Sequence, residues 1–431
     1  MQVKVVLIYL PHPYLFRPES HAPLGILYIA ATLEQNGYDV EIKNYTALNT
    51  EEALEDVPEA DLYGITVTSL ELLQANRFSA EIKKKYTKAV VGLGGPGVFT
   101  DSYVDFNHVD FICKGDGEET IFDIIKDIES DHLSKCYTGK TIDDLDSLPF
   151  PSRHLLPTSQ GGAIFAYNYD YKEYGSTQVA TSRGCPFKCS FCAAPFFTSV
   201  NGGIRYRSPK SVFDEIQHII DNYGIRQYKF CDEIFTINKK RVFEICDLIG
   251  GLDIAWKASA RTKPFDYEIA KAMEQAGCKE IAFGVESFDD DVLKALNKGT
   301  TAVDNANALE CAAKAGLKSR VLFMIRTPGQ TSRTASINIE WLKKVPYHLI
   351  ACTSFVPIPG SDTWANPDKY NIEILNKNLD DYNFYFYGVG DDRENNMTDI
   401  IKIKDRSLDE LNKESLEFRE YLNTTGKINV G

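Results

Sequence analysis

The chain has 431 residues, 43% of them hydrophobic, enough to fill the cores of two or three domains. A formal net charge of −14, with basic residues mixed among acidic ones, excludes a protein that grips nucleic acid through unspecific phosphate contacts. No apolar run approaches a membrane span and the ten cysteines imply no disulfide framework, so a soluble cytoplasmic protein is expected.

In chain order, Val3–Tyr9, Val40–Lys43, Leu62–Val67, Ala89–Gly92 and Val109–Cys113 read as strands. Gly25–Asn36, Leu72–Lys85 and Glu118–Glu129 read as helices between or after them. This alternation predicts a parallel sheet covered on both faces, with ligands at the carboxyl ends of its strands. Glycines gather at or near those ends: Gly64 before Thr66, then Gly92, Gly94, Gly95 and Gly97, then Gly115 and Gly117 before Glu118. Glycine there either turns the chain or lets a ligand approach the backbone.

Asp144–Pro157 contains three prolines and reads as an extended connector. Gln178–Thr181 then leads as a strand into Thr-Ser-Arg-Gly-Cys-Pro-Phe-Lys-Cys-Ser-Phe-Cys, residues 181–192. Cys185, Cys189 and Cys192, spaced C-x3-C-x2-C, can hold three irons of a 4Fe–4S cluster and leave the fourth open to bind another molecule. Half of a zinc site, a redox dithiol or buried small hydrophobes are the alternatives. Zinc needs a fourth ligand, and the nearest histidines, His154 and His218, lie outside the loop.

Five further strand–helix units follow, each strand ending in polar or glycine residues. Tyr228–Cys231 ends in Asp232-Glu233, Ile254–Ala260 in Arg261, and Glu280–Phe283 in Gly284-Val285-Glu286-Ser287. Val321–Ile325 ends in Arg326-Thr327-Pro328-Gly329, and Ile350–Val356 in Pro357-Ile358-Pro359-Gly360. Six strands with unusual residues at their carboxyl ends match a βα barrel with its site on that face. Glu286 and the Asp232-Glu233 pair read alternatively as acids at helix starts, Arg261 as a surface arginine, and Phe191 as a core aromatic. Arg326 faces either an anionic substrate or solvent. The aromatic run at 381–390 either lines a substrate pocket or docks the tail.

The cysteine spacing, with Gly184 before the first Cys and Phe191 before the last, resembles the radical S-adenosylmethionine (SAM) superfamily. Pro23-Leu24-Gly25, Gly64-Ile65-Thr66, Gly94-Gly95 and Gly115-Asp116-Gly117-Glu118-Glu119-Thr120 look like the cobalamin-binding domain fused to many of its members, and Asp144–Pro157 looks like their interdomain linker. The D-x-H-x-x-G motif that supplies a histidine to cobalamin elsewhere is absent, as is common in this branch. The resemblance implies a Rossmann-like (flavodoxin-like) cobalamin-binding domain at 1–140 and a linker at 141–174. A partial (β/α)6 barrel at 175–360 and a mainly helical C-terminal cap segment at 361–431 complete the expected α/β architecture. It also implies that Cys185, Cys189 and Cys192 carry the cluster. Asp232, Glu233, Arg261, Glu286, Ser287 and Phe191 then contribute to the SAM pocket, and Gly64, Thr66, Gly94, Gly95, Gly115 and Glu118 to the cobalamin site. Arg205 and Arg207 look like the family's R-x-R-S-P segment, a positional element.

In that class the open iron chelates SAM, which is cleaved to a 5′-deoxyadenosyl radical, and methylcobalamin donates its methyl group to a substrate carbon radical. The expected activity is methylation of an unactivated carbon of a small metabolite or peptide, with electrons from a flavodoxin or ferredoxin. The rival is a non-methylating C–H transformation on the same architecture, such as ring contraction, cyclisation or rearrangement. A methylthiotransferase is rejected, because the first 150 residues offer only Cys113 and Cys136 where a second cluster needs three cysteines. A non-enzymatic cobalamin carrier or sensor would require a vestigial cysteine loop. No residue is named as catalytic.

Overall fold

The computed structural model describes residues 3–12, 22–99, 101–156, 176–382 and 399–427. The first domain is built on β1 (Val5–Tyr9), β2 (Val40–Asn44), β3 (Leu62–Thr66), β4 (Val90–Gly94), β5 (Phe111–Lys114) and β6 (Cys136–Thr138). They form one parallel sheet in the order β2-β1-β3-β4-β5-β6. Apolar residues of both parities are buried: Val6, Ile8, Tyr63 and Ile65 against one helical layer, Val5, Leu7, Leu62 and Phe111 against the other. That two-sided burial explains why these strands read as continuous apolar runs. The strand order reverses between β1 and β3, where doubly wound sheets bind ligands.

Two glycines are fixed by close approach. A Cβ at Gly92 would stand 2.0 Å from the Phe111 ring, and one at Gly64 would stand 2.7 Å from Leu7 Cδ2. Two elements were not expected from the sequence. One is the helix Thr50–Asp56, started by a capping box between Asn49 and Glu52; the other is the three-residue strand β6.

The second domain begins with β7 (Ser176–Val179). A two-residue ladder, β8 (Ser182–Arg183) against β9 (Arg205–Tyr206), flanks the cysteine loop. Then come β10 (Gln227–Phe230), β11 (Ala255–Ala260), β12 (Cys278–Glu286), β13 (Lys318–Ile325) and β14 (Leu349–Ser354), each preceded by at least one helix. The parallel order β14-β13-β12-β11-β10-β7 leaves β7 and β14 as edges, so the barrel is a partial one of six strands. Tyr228, Phe230, Trp256, Ala258, Ile281, Phe283, Val321 and Phe323 form the core beneath the surrounding helices.

The described part of the expected C-terminal cap segment packs in two places. The helix Leu408–Thr425 buries Phe418 and Leu422 in the barrel's outer core, with Phe418 stacked on Phe323 at 5.1 Å. It therefore lies on the flank of the barrel. Ahead of it, β15 (Ile372–Ile374) and β16 (Ile401–Ile403) make an antiparallel pair packed with Leu70 of the first domain and Phe355 and Val356 of the second. Of the aromatic run at 381–390 only Asp381 and one aromatic, Tyr382, are described. The tyrosine is buried beside Trp364, a docking contact, and the remainder lies outside the described residues.

The domains are joined by buried ion pairs. Arg153 of the connector donates to Glu215 Oε1 at 2.6 Å and to the Gln178 carbonyl at 2.7 Å. Arg207 pairs with the other Glu215 oxygen and reaches Tyr28 Oη at 3.4 Å. Burial pushes the Glu215 carboxyl up, but the two guanidinium groups outweigh it and hold it below its ordinary value. Arg205 pairs with Asp116 across the interface and donates to the Ile142 carbonyl at 2.8 Å. The R-x-R-S-P segment is thus a domain fastener. No helix among the described residues is long and apolar enough to cross a membrane.

Candidate functional site

The cysteine loop hangs between β8 and the helix Ala194–Val200. Gly184 turns it with φ +96°, and a Cβ there would stand 3.1 Å from the Gly203 carbonyl oxygen. The Cys185 amide donates to Thr198 Oγ1 at 2.9 Å, the Ser190 amide to the Leu296 carbonyl at 2.9 Å, and Asn297 Nδ2 to the Lys188 carbonyl at 2.6 Å. Fixed at both ends and in the middle, the loop presents three thiols of eight consecutive residues to one side of the barrel mouth. Burial raises the Cys185 thiol and pushes that of Cys192 up to about 11, so metal binding must release their protons. Among the described residues no three His, Cys, Asp or Glu side chains converge as the ligands of a single ion do. A cubane places each thiolate on a different iron, so its ligands need not converge on one ion.

Facing the loop is a buried charged group. Arg261, at the end of β11, lies over the Phe187 ring with its guanidinium 3.8 Å from the centroid and donates to Cys189 Sγ at 3.2 Å. That sulfur is a thiol standing in for an iron-bound thiolate. Arg261 also donates to the Lys298 carbonyl, and its buried Nε has no hydrogen-bond partner among the described residues. Glu286 ends β12 at φ +63° and accepts from Lys298 Nζ at 2.7 Å. A Cβ at Gly284 would stand 2.6 Å from the Glu286 carboxylate and 2.8 Å from Lys298 Nζ, so a larger residue there would push these two side-chain ends aside. Lys298 Nζ also sits 5.7 Å from the Phe191 ring centroid. Two cations, one carboxylate and two aromatic faces leave a net positive group of side chains beside the cluster loop.

Asp232 and Ser287, expected to contact SAM, are committed elsewhere. The Asp232 carboxylate accepts from the amides of Thr181 (2.7 Å) and Ser182 (3.2 Å) and from both hydroxyls, with Ser182 Oγ at 2.7 Å. Its lone-pair directions are filled, and it anchors the chain entering the loop. Ser287 Oγ donates to Asn338 Oδ1 at 3.1 Å and accepts from the Asp289 amide at 3.0 Å. Glu233, by contrast, keeps an accessible side chain inside the cavity, and burial under the surrounding protein raises its carboxyl. Arg326 neither faces solvent nor stands open to a substrate: it is buried and paired with Asp399.

Between the domains lies a cavity of about 560 Å³. Gly64, Thr66, Gly94, Gly95, Gly115 and Glu118 line it from the first sheet, and Gln178, Ala180, Arg183, Cys231 and Glu233 from the barrel. Gly95 (φ +89°) and Gly115 (φ +109°) hold left-handed turns that other residues resist. Gly94 is different, because a Cβ there would meet nothing within 4 Å and would enter the open cavity. Gly94→Leu is therefore expected to fold and to assemble its cluster like the parent while losing bound corrinoid about tenfold or more. Gly92→Ala, driven into Phe111, should instead cost roughly 1–3 kcal/mol of stability. Corrinoid absorbance and thermal melts of the two variants check this.

Arg183 escaped the sequence reading. It donates to Asp116 Oδ1 at 3.0 Å and Glu118 Oε1 at 2.5 Å, with Tyr28 under its guanidinium at 5.3 Å. It thus ties the Gly115–Glu118 turn to the cysteine loop two residues before Cys185. Its place inside the run Thr-Ser-Arg-Gly-Cys was the available signal; Lys298 ends the stretch Gly284–Gly299, which resembles the family's G-x-E-S…L…K-G segment of the SAM pocket, but was not singled out within it.

Residues 179–341 match the family model of the radical SAM superfamily, and residues 17–125 that of the B12 binding domain. The chain is 31% identical over 370 residues to an uncharacterized methyltransferase of Pyrococcus horikoshii, covering 79% of this chain and 77% of that one. It is 26% identical over 342 residues to the anaerobic magnesium-protoporphyrin IX monomethyl ester cyclase of Cereibacter sphaeroides, covering 73% of this chain and 55% of that one. Among solved structures, the radical SAM methyltransferase TsrM from Kitasatospora setae, with tryptophan substrate and a SAM analogue bound, superposes with a TM-score of 0.67. It shares 17% identity and the match covers 87% of this chain and 79% of that one, a likeness of fold.

Proposed function

Because the chain belongs to the radical SAM enzymes that carry an N-terminal cobalamin-binding domain, we propose that it methylates an unactivated carbon of a small molecule or peptide. The observation that carries this reading is the shared cavity: the glycine-lined strand ends of one domain and the strand ends beside the cysteine loop of the other open into the same space. The cluster with SAM supplies a hydrogen-abstracting radical, and cobalamin supplies the methyl group.

The chain's own residues bind, orient and shield. Cys185, Cys189 and Cys192 hold three irons. Arg261, whose Nε has no partner among the described residues, and Lys298 suit the carboxylate of SAM, since a guanidinium donates to a carboxylate in a fork. Glu233 suits its amino group: an ammonium beside this carboxyl would counter the burial that raises it and restore the charged form. Phe187 and Phe191 cover the chamber against water. Gly64, Gly94, Gly95 and Gly115 leave room for a corrinoid to approach the backbone. Asp116 and Glu118, held by Arg183 and Arg205, fix the turn that would support it. A flavodoxin or ferredoxin in the cytoplasm is the proposed electron source.

The similarity to a cyclase favours one second reading, a non-methylating C–H transformation in the same chamber. Anaerobic protein reconstituted with iron, sulfide and cobalamin decides between them. A methylase should release S-adenosylhomocysteine and 5′-deoxyadenosine in equal amounts when supplied with substrate. Formation of 5′-deoxyadenosine alone, or purification without any corrinoid, would sink the methylation reading.

A further inference from the structure

The helix Ala194–Val200 is packed unlike its neighbours. It begins just after Cys192, and its Ala194 amide donates to the Cys192 sulfur at 3.4 Å. Its sequence, Ala-Pro-Phe-Phe-Thr-Ser-Val, is mostly apolar, yet none of its residues is buried. A helix this short draws its stability from burying an apolar face, so an unburied one points to a partner outside the fold. Phe196 is 42% and Val200 39% exposed. Phe99 of the first domain meets Phe196 edge-on with ring centroids 5.3 Å apart and Phe197 at 5.0 Å, so both domains contribute to one aromatic platform. At its far end, a Cβ on Gly115 in the turn lining the interdomain cavity would stand 3.0 Å from Asn201 Oδ1.

Charge sets this face apart as well. Residues 174–213 contain no Asp or Glu, in a chain where 61 of 431 residues are acidic. Most cations of that stretch are engaged: Arg183, Arg205 and Arg207 pair with Asp116, Glu118 and Glu215, and Lys210 pairs with Asp214. Lys188, between the first two cysteines of the triplet, is exposed and makes no ion pair among the described residues. Asp101, the first acid after Phe99, is paired with Lys114 at 2.8 Å. A chain of net charge −14 repels an acidic protein, and an acid-free stretch is where that repulsion is weakest. Cys185 and Cys192 are themselves half-buried, so a cluster held by them has an edge near this surface.

We infer that the platform docks the electron donor, a small acidic one-electron carrier of the flavodoxin or ferredoxin kind. The donor gives up one electron and is oxidised, the cluster takes it and is reduced, and the transfer itself makes and breaks no bond. A transient redox encounter buries less than about 1,200 Å², so one short helix with Phe99 and Lys188 can form its centre. Apolar contact at Phe196 and Val200 brings the carrier close, and Lys188 attracts its acidic rim. This deepens the reading given above and rests on it for the need of an external electron.

The test is 5′-deoxyadenosine formation by the anaerobic holoenzyme, driven by reduced flavodoxin, by reduced ferredoxin, or by dithionite, a small reductant that needs no docking surface. Phe196→Ser and Lys188→Glu should each slow the reaction with at least one protein carrier about tenfold. Both should leave the dithionite-driven reaction within about threefold of the parent. If Phe196→Ser fails to fold, Val200→Ser takes its place. Equal losses with carrier and dithionite, variants that accept electrons from both carriers like the parent, or a parent that neither carrier reduces would overturn the inference. So would a parent dimer that Phe196→Ser splits without slowing either carrier, because the platform would then seat a second copy of the chain. Carrier-driven 5′-deoxyadenosine without any methylated product would count against the methylation reading alone.

Discussion

Replacing Cys192 with alanine should abolish the cluster and with it SAM cleavage, which is expected to fall by about 10³-fold or more while the fold survives. Each thiolate of a three-cysteine site caps a different iron, so one missing ligand exposes a second iron and the cubane is no longer held. The loss is nearly complete because a reaction that exists only with the cluster forfeits its whole barrier reduction, and each 1.36 kcal/mol is a factor of ten. Folding should be spared, since Cys192 is half-buried and among the described residues its sulfur takes only the long contact from the Ala194 amide at 3.4 Å. The loop's other fixings at Cys185, Ser190 and Lys188 remain. Cys231→Ala is the internal control. That thiol lines the same cavity but lies outside the triplet, so iron and sulfide content, the electron paramagnetic resonance signal of the reduced cluster and 5′-deoxyadenosine formation should match the parent. Loss of iron in Cys231→Ala, or retention of the reduced-cluster signal in Cys192→Ala, would reassign the cluster ligands.

What the sequence could convey depended on whether a residue's partner was near it in the chain. Strands such as Val5–Tyr9 and Leu62–Thr66 were legible because both faces are buried and the apolar run is unbroken. The three-residue β6 is too short for any periodicity, and Thr50–Asp56 is a brief helix whose one strong mark is its capping box. Residue types at the strand ends were legible, but their assignments were not. Asp232 turns back onto Thr181 and Ser182, fifty residues earlier, and Arg326 meets Asp399, seventy-three residues later. A side chain's choice among distant partners depends on burial and geometry that no local pattern encodes. The Glu286–Lys298 pair is intermediate: Gly284 hints at it, because a Cβ there would crowd both charged ends.

Arg183→Gln should separate the two halves of the chemistry. The guanidinium spans Asp116 and Glu118 in a fork, and both carboxylates are buried. In the variant Asp116 keeps Arg205 and the Ile142 amide, whereas Glu118 loses the one cation that engages it among the described residues. Breaking a buried pair from one side costs about 3–5 kcal/mol, enough to loosen the turn at Gly115–Glu118 from the cysteine loop. Neither the cluster ligands nor Arg261, Glu286 and Lys298 are touched, so cleavage of SAM to 5′-deoxyadenosine should stay within about threefold of the parent. Methyl transfer needs the first domain's cofactor aligned with the substrate, and a misplacement near 1 Å can cost about 10²-fold, so methylated product should fall roughly 30- to 100-fold. Arg183→Lys restores the charge without the fork and should recover only part of the transfer. Glu118→Gln added to Arg183→Gln removes the stranded charge, so it should restore thermal stability but not the product ratio. If 5′-deoxyadenosine and methylated product instead fall in proportion, or neither changes, Arg183 is a fastener of the fold and not the residue that registers one cofactor site against the other.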